Sequence, residues 1–181
     1  MRLGGIYVAC CIYILSYSTD SLARTGISFA AGHGTKQVQA KRLNLQRAWG
    51  QPFVTANNRT FDGYWELAVT RLYSKQVFST PTYNKLSVVS AAAVLRLSKR
   101  FIYPIYLDLG IGLARMSKKE IATRQLGSKV LFEDRLGVGI LLGNRRQIEI
   151  GYRVLHFSNA YLAKKNQSLN VHLLVVGYWF N

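Results

Sequence analysis

Cysteine and acidic residues are scarce in this chain, and each shortage narrows what the protein can be. The 181 residues include 2 cysteines and 8 acidic residues. Cys10 and Cys11 both lie in an apolar segment at the N-terminus. Loss of that segment would leave no cysteine, and therefore no disulfide framework, thiol nucleophile or cysteine metal site.

The N-terminal segment has the features of a secretory signal peptide. Met1-Arg2 gives a positive start, an apolar run too short to span a bilayer follows, and Ser21 and Ala23 are the small residues that a signal peptidase reads. We therefore predict a signal peptide at 1–23, with cleavage before Arg24, and a single mature domain at 24–181.

Because acids are few, the charge is strongly positive. Against the 8 acidic residues stand 24 Lys and Arg, which gives a formal net charge of +16. The 49% hydrophobic and 12% aromatic content argues against a disordered basic tail. A folded, basic chain implies an anionic partner, for which nucleic acid, an acidic membrane surface and a phosphorylated ligand are the three classes.

Long apolar runs are also missing beyond the N-terminus, where no segment approaches the ~18 residues of a membrane helix. Apolar residues alternate instead, as from Ile105 to Leu113, where every second residue is Ile or Leu. Eight such runs separated by turn residues are predicted strands: Gly26–His33, Val38–Trp49, Phe61–Ser74, Leu86–Ser98, Tyr103–Met116, Ser128–Leu142, Arg146–Asn159 and Leu169–Phe180.

The lengths of these runs favour an all-β fold that crosses a membrane. Most have the ~9–11 residues that a tilted membrane strand needs. We therefore predict an eight-stranded antiparallel transmembrane β-barrel of the outer-membrane type. A soluble, exported lipid carrier with eight strands is the alternative; the Arg, Glu, Asp and Gly residues on the second face of most strands suit a polar lumen better than an apolar cup.

The predicted topology assigns many basic residues to the outward connections and strand ends. They are Lys36, Lys75, Lys85, Lys118, Lys119, Arg124, Lys129, Lys164 and Lys165. This placement favours the phosphorylated lipopolysaccharide of the outer leaflet as the partner and the cell outer membrane as the location. We expect no nucleic-acid partner, because the strongest basic cluster, Arg96 to Arg100, is interpreted as a strand end and turn.

Two chemically active side chains interrupt the apolar face of the seventh predicted strand. His156 and Ser158 continue the even-numbered positions that hold Ile148, Ile150 and Val154. Polar groups on a lipid-facing surface are costly and are therefore functional candidates. Neighbouring His and Ser side chains on one strand face can form the base and nucleophile of an esterase.

Three segments of the C-terminal region resemble the PagL family of lipid A 3-O-deacylases. They are Phe132 to Gly139, Glu149 to Arg153 and His156 to Ala160, together with Asn166. The resemblance implies an outer-membrane esterase that hydrolyses the acyl chain at position 3 of lipid A, facing the outer leaflet. It also implies Ser158 as nucleophile, His156 as base and Asn159 as part of the oxyanion hole, with no metal or cofactor.

The sequence departs from the family at the acidic member of the catalytic triad. The family has a Glu where this chain has Asn170, and no residue from Ile150 onward is acidic. An amide can hold an imidazole tautomer but cannot stabilise the imidazolium as a carboxylate does. A catalytically silent or weak barrel that binds lipopolysaccharide is therefore the alternative function.

Asp134 is the second candidate for the missing acid. A three-residue hairpin loop at 143–145 would place Phe132 opposite His156 and leave Asp134 on the diagonal, about 7 Å away at the backbone. A pairing of Asp134 with Arg135, Arg153 or solvent is the alternative.

For the remaining polar residues, the sequence predicts positions in the barrel. Glu133, Arg135, Glu149 and Arg153 are predicted to fill the lumen, His172 is either a rim residue or a second polar contact, and His33 is assigned no function. The sequence leaves open whether the barrel forms a homodimer.

Overall fold

The computed structural model describes residues 23–35, 38–50, 52–57, 59–74, 84–99, 104–165 and 167–180. The predicted signal peptide, with Cys10 and Cys11, lies outside these residues apart from Ala23, and so do Lys36, Lys75, Arg100 and Asn166. The cleavage site and the domain boundary at Arg24 remain predictions. In the described part of the chain, no helix is long and apolar enough to cross a membrane.

Eleven strands form within the described residues. They are β1 (Thr25–Gly34), β2 (Val38–Ala48), β3 (Val54–Ala56), β4 (Arg59–Ser74), β5 (Lys85–Lys99), β6 (Ile105–Met116), β7 (Glu120–Ile121), β8 (Arg124–Gln125), β9 (Val130–Leu142), β10 (Ile148–Ser158) and β11 (Leu169–Phe180). Three of these strands, β3, β7 and β8, are short and lie in connections.

The eight long strands close into an antiparallel barrel in the order β1, β2, β4, β5, β6, β9, β10, β11 and back to β1. Closure pairs every strand edge, which a bilayer requires because it offers no water to unpaired backbone groups. The predicted eight-stranded barrel is confirmed. At most strand ends, the observed boundary differs from the predicted one by one or two residues.

Side chains alternate between the outer wall and the lumen in the way that a membrane barrel requires. Large apolar side chains are exposed along the outer wall, for example Leu109 on β6, Leu136 on β9 and Val176 on β11. Charged side chains are buried inside. A soluble lipid carrier has the opposite arrangement, with a polar outer wall and an apolar cup, so that alternative is wrong.

A network of buried ion pairs fills the middle of the lumen. Arg42 contacts Glu66 at 3.1 Å and Glu133 at 2.8 Å, and Arg135 and Arg153 also contact Glu66. A second cluster joins Arg96 to Asp108 and Glu149. The predicted lumen positions of Glu133, Arg135, Glu149 and Arg153 are therefore confirmed.

The two ends of the barrel differ. We call the end with connections 35–37, 75–84, 117–129 and 159–168 the long-loop end, and the other end the turn end. At the long-loop end, Ile121, Ala122 and Leu126 of connection 117–129 are buried in an apolar cluster with Leu155 and Phe157 of β10. Connection 117–129 thus packs inside this end of the barrel and supports the last residues of β10 from the lumen side.

The pairing of β9 with β10 corrects the predicted register. Leu142 pairs with Ile148, so the hairpin loop is 143–147, which is two residues longer than predicted. An odd loop length was needed to align the apolar faces, and a five-residue loop satisfies that condition as well as a three-residue one. Consequently Asp134, not Phe132, lies directly opposite His156, and Phe132 lies opposite Ser158.

Candidate active site

Strand β10 presents His156 and Ser158 on the outer wall near the long-loop end. The intervening Leu155 and Phe157 point inward and are fully buried. His156 and Ser158 are partly exposed on the opposite face of the strand. Leu155 and Phe157 pack in the apolar cluster at the long-loop end and fix the backbone of β10 there. His156 and Ser158 therefore project from a rigid part of the strand.

Asn170 binds the histidine ring directly. It lies opposite His156 in the β10–β11 pairing, and its Oδ1 is 2.5 Å from His156 Nδ1. A carboxamide oxygen only accepts, so Nδ1 is the donor in this contact, and in the neutral ring the lone pair is then on Nε2. This is the tautomer that a general base requires.

The backbone of Asn170 is bound to the neighbouring strand end. Thr35 Oγ1 donates to the Asn170 carbonyl at 3.4 Å and accepts from its N–H at 3.3 Å. Thr35 thus links β1 to β11 at the level of the histidine and limits the movement of Asn170.

Asp134 flanks His156 from the other side. Facing residues on paired strands have Cβ atoms about 4.5–5.5 Å apart, which is closer than the predicted diagonal position. Arg135 and Arg153, its predicted alternative partners, bind Glu66 inside the lumen. Asp134 itself is exposed on the outer wall, as its predicted solvent alternative requires, and no ion pair joins it to His156 among the described residues.

No hydrogen bond joins Ser158 Oγ to His156 among those formed by the described residues. Catalytic hydrogen bonds are often long without substrate and tighten in the reactive complex. Two residues of separation on one strand face keep the side chains adjacent. The arrangement can therefore act as nucleophile, base and orienting group around a substrate held on the outer wall.

Asn159 occupies a different environment from the one that a side-chain role in catalysis needs. Its side chain is 1% exposed, and Nδ2 donates to Leu126 O at 2.9 Å and to Lys165 O at 2.7 Å. The side chain therefore joins connections 117–129 and 159–168. The predicted oxyanion role of Asn159 stays a prediction.

His172 forms a polar contact, which is one of its two predicted alternatives, and sequence reasoning missed its partner, Tyr152. Tyr152 Oη lies 2.5 Å from His172 Nδ1, and the rings of His172 and His33 stack with their centroids 6.0 Å apart. Alternation alone placed Tyr152 and His172 on the outer wall. Their contact depends on the β10–β11 register, which pairs distant parts of the chain.

The described residues contain no group of three or more His, Cys, Asp or Glu side chains positioned to hold a metal ion.

Comparison with known proteins identifies relatives over most of the chain. The lipid A deacylase PagL of Pseudomonas aeruginosa is 28% identical over 159 residues, which cover 88% of both chains. The lipid A deacylase PagL of Bordetella bronchiseptica is 36% identical over 75 residues, or 41% of both chains. The crystal structure of the outer membrane enzyme PagL superposes with a TM-score of 0.76 and 25% identity, covering 84% of this chain and 98% of the other.

A family model provides the broadest evidence. The model described as "Lipid A 3-O-deacylase (PagL)" matches residues 39–179, which include every candidate catalytic residue. The closed barrel agrees with that match. On this evidence the chain belongs to the PagL family of outer-membrane lipid A 3-O-deacylases.

Proposed function

We propose that this protein is an outer-membrane serine esterase that hydrolyses the 3-O-linked acyl chain of lipid A. The observation that carries the proposal is the hydrogen-bonded pair His156–Asn170 on the outer wall, two residues from Ser158. The wall position suits a substrate whose acyl chains lie in the bilayer, since the ester can reach Ser158 without leaving the membrane.

The reaction proceeds through an acyl-enzyme. His156 Nε2 takes the proton of Ser158 Oγ as the oxygen attacks the ester carbonyl carbon. Collapse of the tetrahedral intermediate breaks the bond to the sugar O3, and His156 returns the proton to that oxygen. Water, activated by the same histidine, then cleaves the acyl–serine ester and releases the fatty acid.

Asn170 and Asp134 divide the role of the family's Glu. Asn170 fixes the tautomer through Nδ1, while Asp134 places a negative charge beside the imidazolium that forms during attack. The backbone N–H of Asn159 follows the nucleophile, at a position where a donor can stabilise the oxyanion. All of these groups come from one barrel, so the chemistry does not require a homodimer.

The long-loop end faces the outer leaflet in this proposal. The basic residues predicted for this end that the structure describes are Lys85, Lys118, Lys119, Arg124, Lys129, Lys164 and Lys165. Cations at this end would contact the phosphates of lipopolysaccharide, and the ester linkages would then lie at the level of Ser158. The reverse orientation would place the catalytic residues near the inner leaflet.

The decisive experiment is incubation of the refolded barrel with purified lipid A, followed by mass spectrometry of the products. The wild type should release one acyl chain from position 3. Ser158→Ala should abolish release, whereas Ser87→Ala, a serine on the outer wall of β5 three strands away, should not change it. Unchanged lipid A with folded wild-type protein would contradict the esterase and support the silent barrel.

A further inference from the structure

We propose that a depression in the outer wall at the turn end binds one glycerophospholipid of the inner leaflet. One acyl chain would lie in the depression, and the phosphate would contact two cations at its margin. The inference rests on the orientation proposed above, with the turn end toward the inner leaflet, and it does not depend on catalysis by Ser158.

The depression spans strands β5, β6 and β9 and has a volume of about 630 Å³. This volume falls within the ~300–1,000 Å³ range of small-molecule sites. Its apolar lining consists of outer-wall side chains from two adjacent rows of the barrel: Leu97, Ile105, Leu107, Val138 and Ile140. Such a lining suits a hydrocarbon chain.

Two cations lie at the turn-end margin of the depression. Arg59 of β4 and Lys99 of β5 line it and are directly opposite each other in the strand pairing. Like charges at directly opposite positions repel and destabilise a sheet. A phosphate bound between the two side chains would replace this repulsion by attraction, so the pair is complementary to a phosphate headgroup.

Aromatic side chains mark the level of these cations relative to the bilayer. Four of them form one cluster at the turn end: Trp49, Phe53, Phe61 and Trp65. Aromatic girdles of membrane barrels lie at the interface between hydrocarbon and water. Phe61 is opposite Leu97 of the depression, and Arg59 is one row further toward the turn end. The cations are therefore at headgroup level, while the apolar lining extends into the hydrocarbon region.

The depression is separate from the candidate active site. On β9, Phe132 lies opposite Ser158, and Val138 of the depression follows six residues later. At about 3.3 Å per residue, the two positions are about 20 Å apart along the strand. A phospholipid in the depression would therefore not compete with lipid A for Ser158.

Native mass spectrometry of the detergent-folded barrel tests the site. The probes are palmitoyl-oleoyl phosphatidylglycerol and the diacylglycerol with the same two chains, which lacks the phosphate. Each probe is titrated against the barrel, and the fraction of barrel with one bound lipid gives an apparent Kd. The wild type should bind one phosphatidylglycerol with an apparent Kd about tenfold below that for the diacylglycerol, because only the former has a charge for the two cations.

The phosphate contact is tested by Arg59→Gln combined with Lys99→Gln. This double variant should raise the apparent Kd for phosphatidylglycerol about 3- to 10-fold, as expected for two partly exposed charge contacts. The matched control, Lys41→Gln combined with Arg115→Gln, removes two exposed cations from the outer wall away from the depression. It should leave the apparent Kd unchanged.

The apolar contact is tested by Leu107→Trp, whose larger side chain fills part of the depression. The apparent Kd for phosphatidylglycerol should again rise about 3- to 10-fold, since acyl contacts are lost. The control is Ile111→Trp, on the outer wall of the same strand and outside the depression, which should have no effect. Heat-dependent gel mobility checks that every variant is folded.

Three results overturn the site: equal affinity for the two probes, an unchanged Kd in either the double variant or Leu107→Trp, or the same loss in the controls. Displacement of phosphatidylglycerol from Ser158→Ala protein by an equal amount of lipid A would assign the depression to lipid A and also overturn the proposal. Lipid retention requires no ester cleavage, so a barrel without deacylase activity would contradict the esterase and leave this test intact.

Discussion

At the scale of single residues, the replacement of the family's Glu by Asn170 is the main chemical question. The amide accepts the Nδ1 proton at 2.5 Å, so orientation of the ring is preserved. An amide cannot stabilise the positive charge that forms on the His156 ring as a carboxylate does. The strand pairing places one carboxylate, that of Asp134, directly opposite His156. In the proposed mechanism, orientation and charge therefore come from residues on opposite sides of His156.

The two contributions can be separated by mutation. Asn170→Ala removes the acceptor that sets the tautomer, so kcat for lipid A should fall about 10²- to 10⁴-fold. Asp134→Asn keeps the tautomer and removes only a flanking charge, so its loss should be about tenfold or less. Initial rates of fatty acid release at saturating lipid A would measure both effects.

Asn170→Glu is the complementary variant, because it returns the family's carboxylate to Nδ1. Its kcat should rise above that of the wild type. A larger loss in Asp134→Asn than in Asn170→Ala would instead assign the principal role to Asp134.

At the scale of elements, connections 117–129 and 159–168 act as one unit over the long-loop end. Besides the two bonds from Asn159, Gln125 N–H donates to Gln167 Oε1 at 2.8 Å, and Arg124 donates to the Ser168 carbonyl. Ala160 and Tyr161 have φ values of 49° and 62°, which non-glycine residues seldom adopt. The hydrogen bonds of the Asn159 side chain offset that backbone strain in the two residues that follow it.

Asn159→Ala should loosen these connections without unfolding the barrel. Two backbone carbonyls would lose their donors, at a cost of about 1–3 kcal/mol each in a buried site. Trypsin should then cleave after Lys164 or Lys165 faster than in the wild type, as measured by gel electrophoresis of the detergent-folded protein.

The control is Asn144→Ala, in the exposed loop between β9 and β10 at the turn end. It should leave the cleavage rate unchanged. Equal protection of Asn159→Ala and the wild type would show that other contacts hold the loops.

At the scale of the whole molecule, the lumen network joins β4 to its neighbour β2 and also to β9 and β10, which are not its neighbours in the wall. Glu66 of β4 receives Arg42 of β2, Arg135 of β9 and Arg153 of β10 at 2.8–3.1 Å. Side chains of Glu66, Arg42 and Arg135 are fully buried. Loss of one partner from such a cluster leaves uncompensated charge in a dry interior.

Glu66→Gln should therefore destabilise the barrel by about 3–5 kcal/mol. The measurement is the urea midpoint for the change in gel mobility between folded and unfolded forms. Glu120→Gln, in connection 117–129 outside the network, should have little effect. A midpoint for Glu66→Gln equal to that of the wild type would mean that Glu133 compensates for its loss.

The period-two pattern determined the strands, their outer and inner faces, and the outward position of His156 and Ser158, because alternation is a local property of extended backbone. Most of the fold and two residues of the site could therefore be predicted. The register could not, since loops of three and five residues align the faces equally well. Only the closed barrel decided that Asp134 lies opposite His156, that Asn159 joins two connections and that Tyr152 meets His172. Each of these contacts joins residues on different strands or connections, and only tertiary packing selects among such pairings.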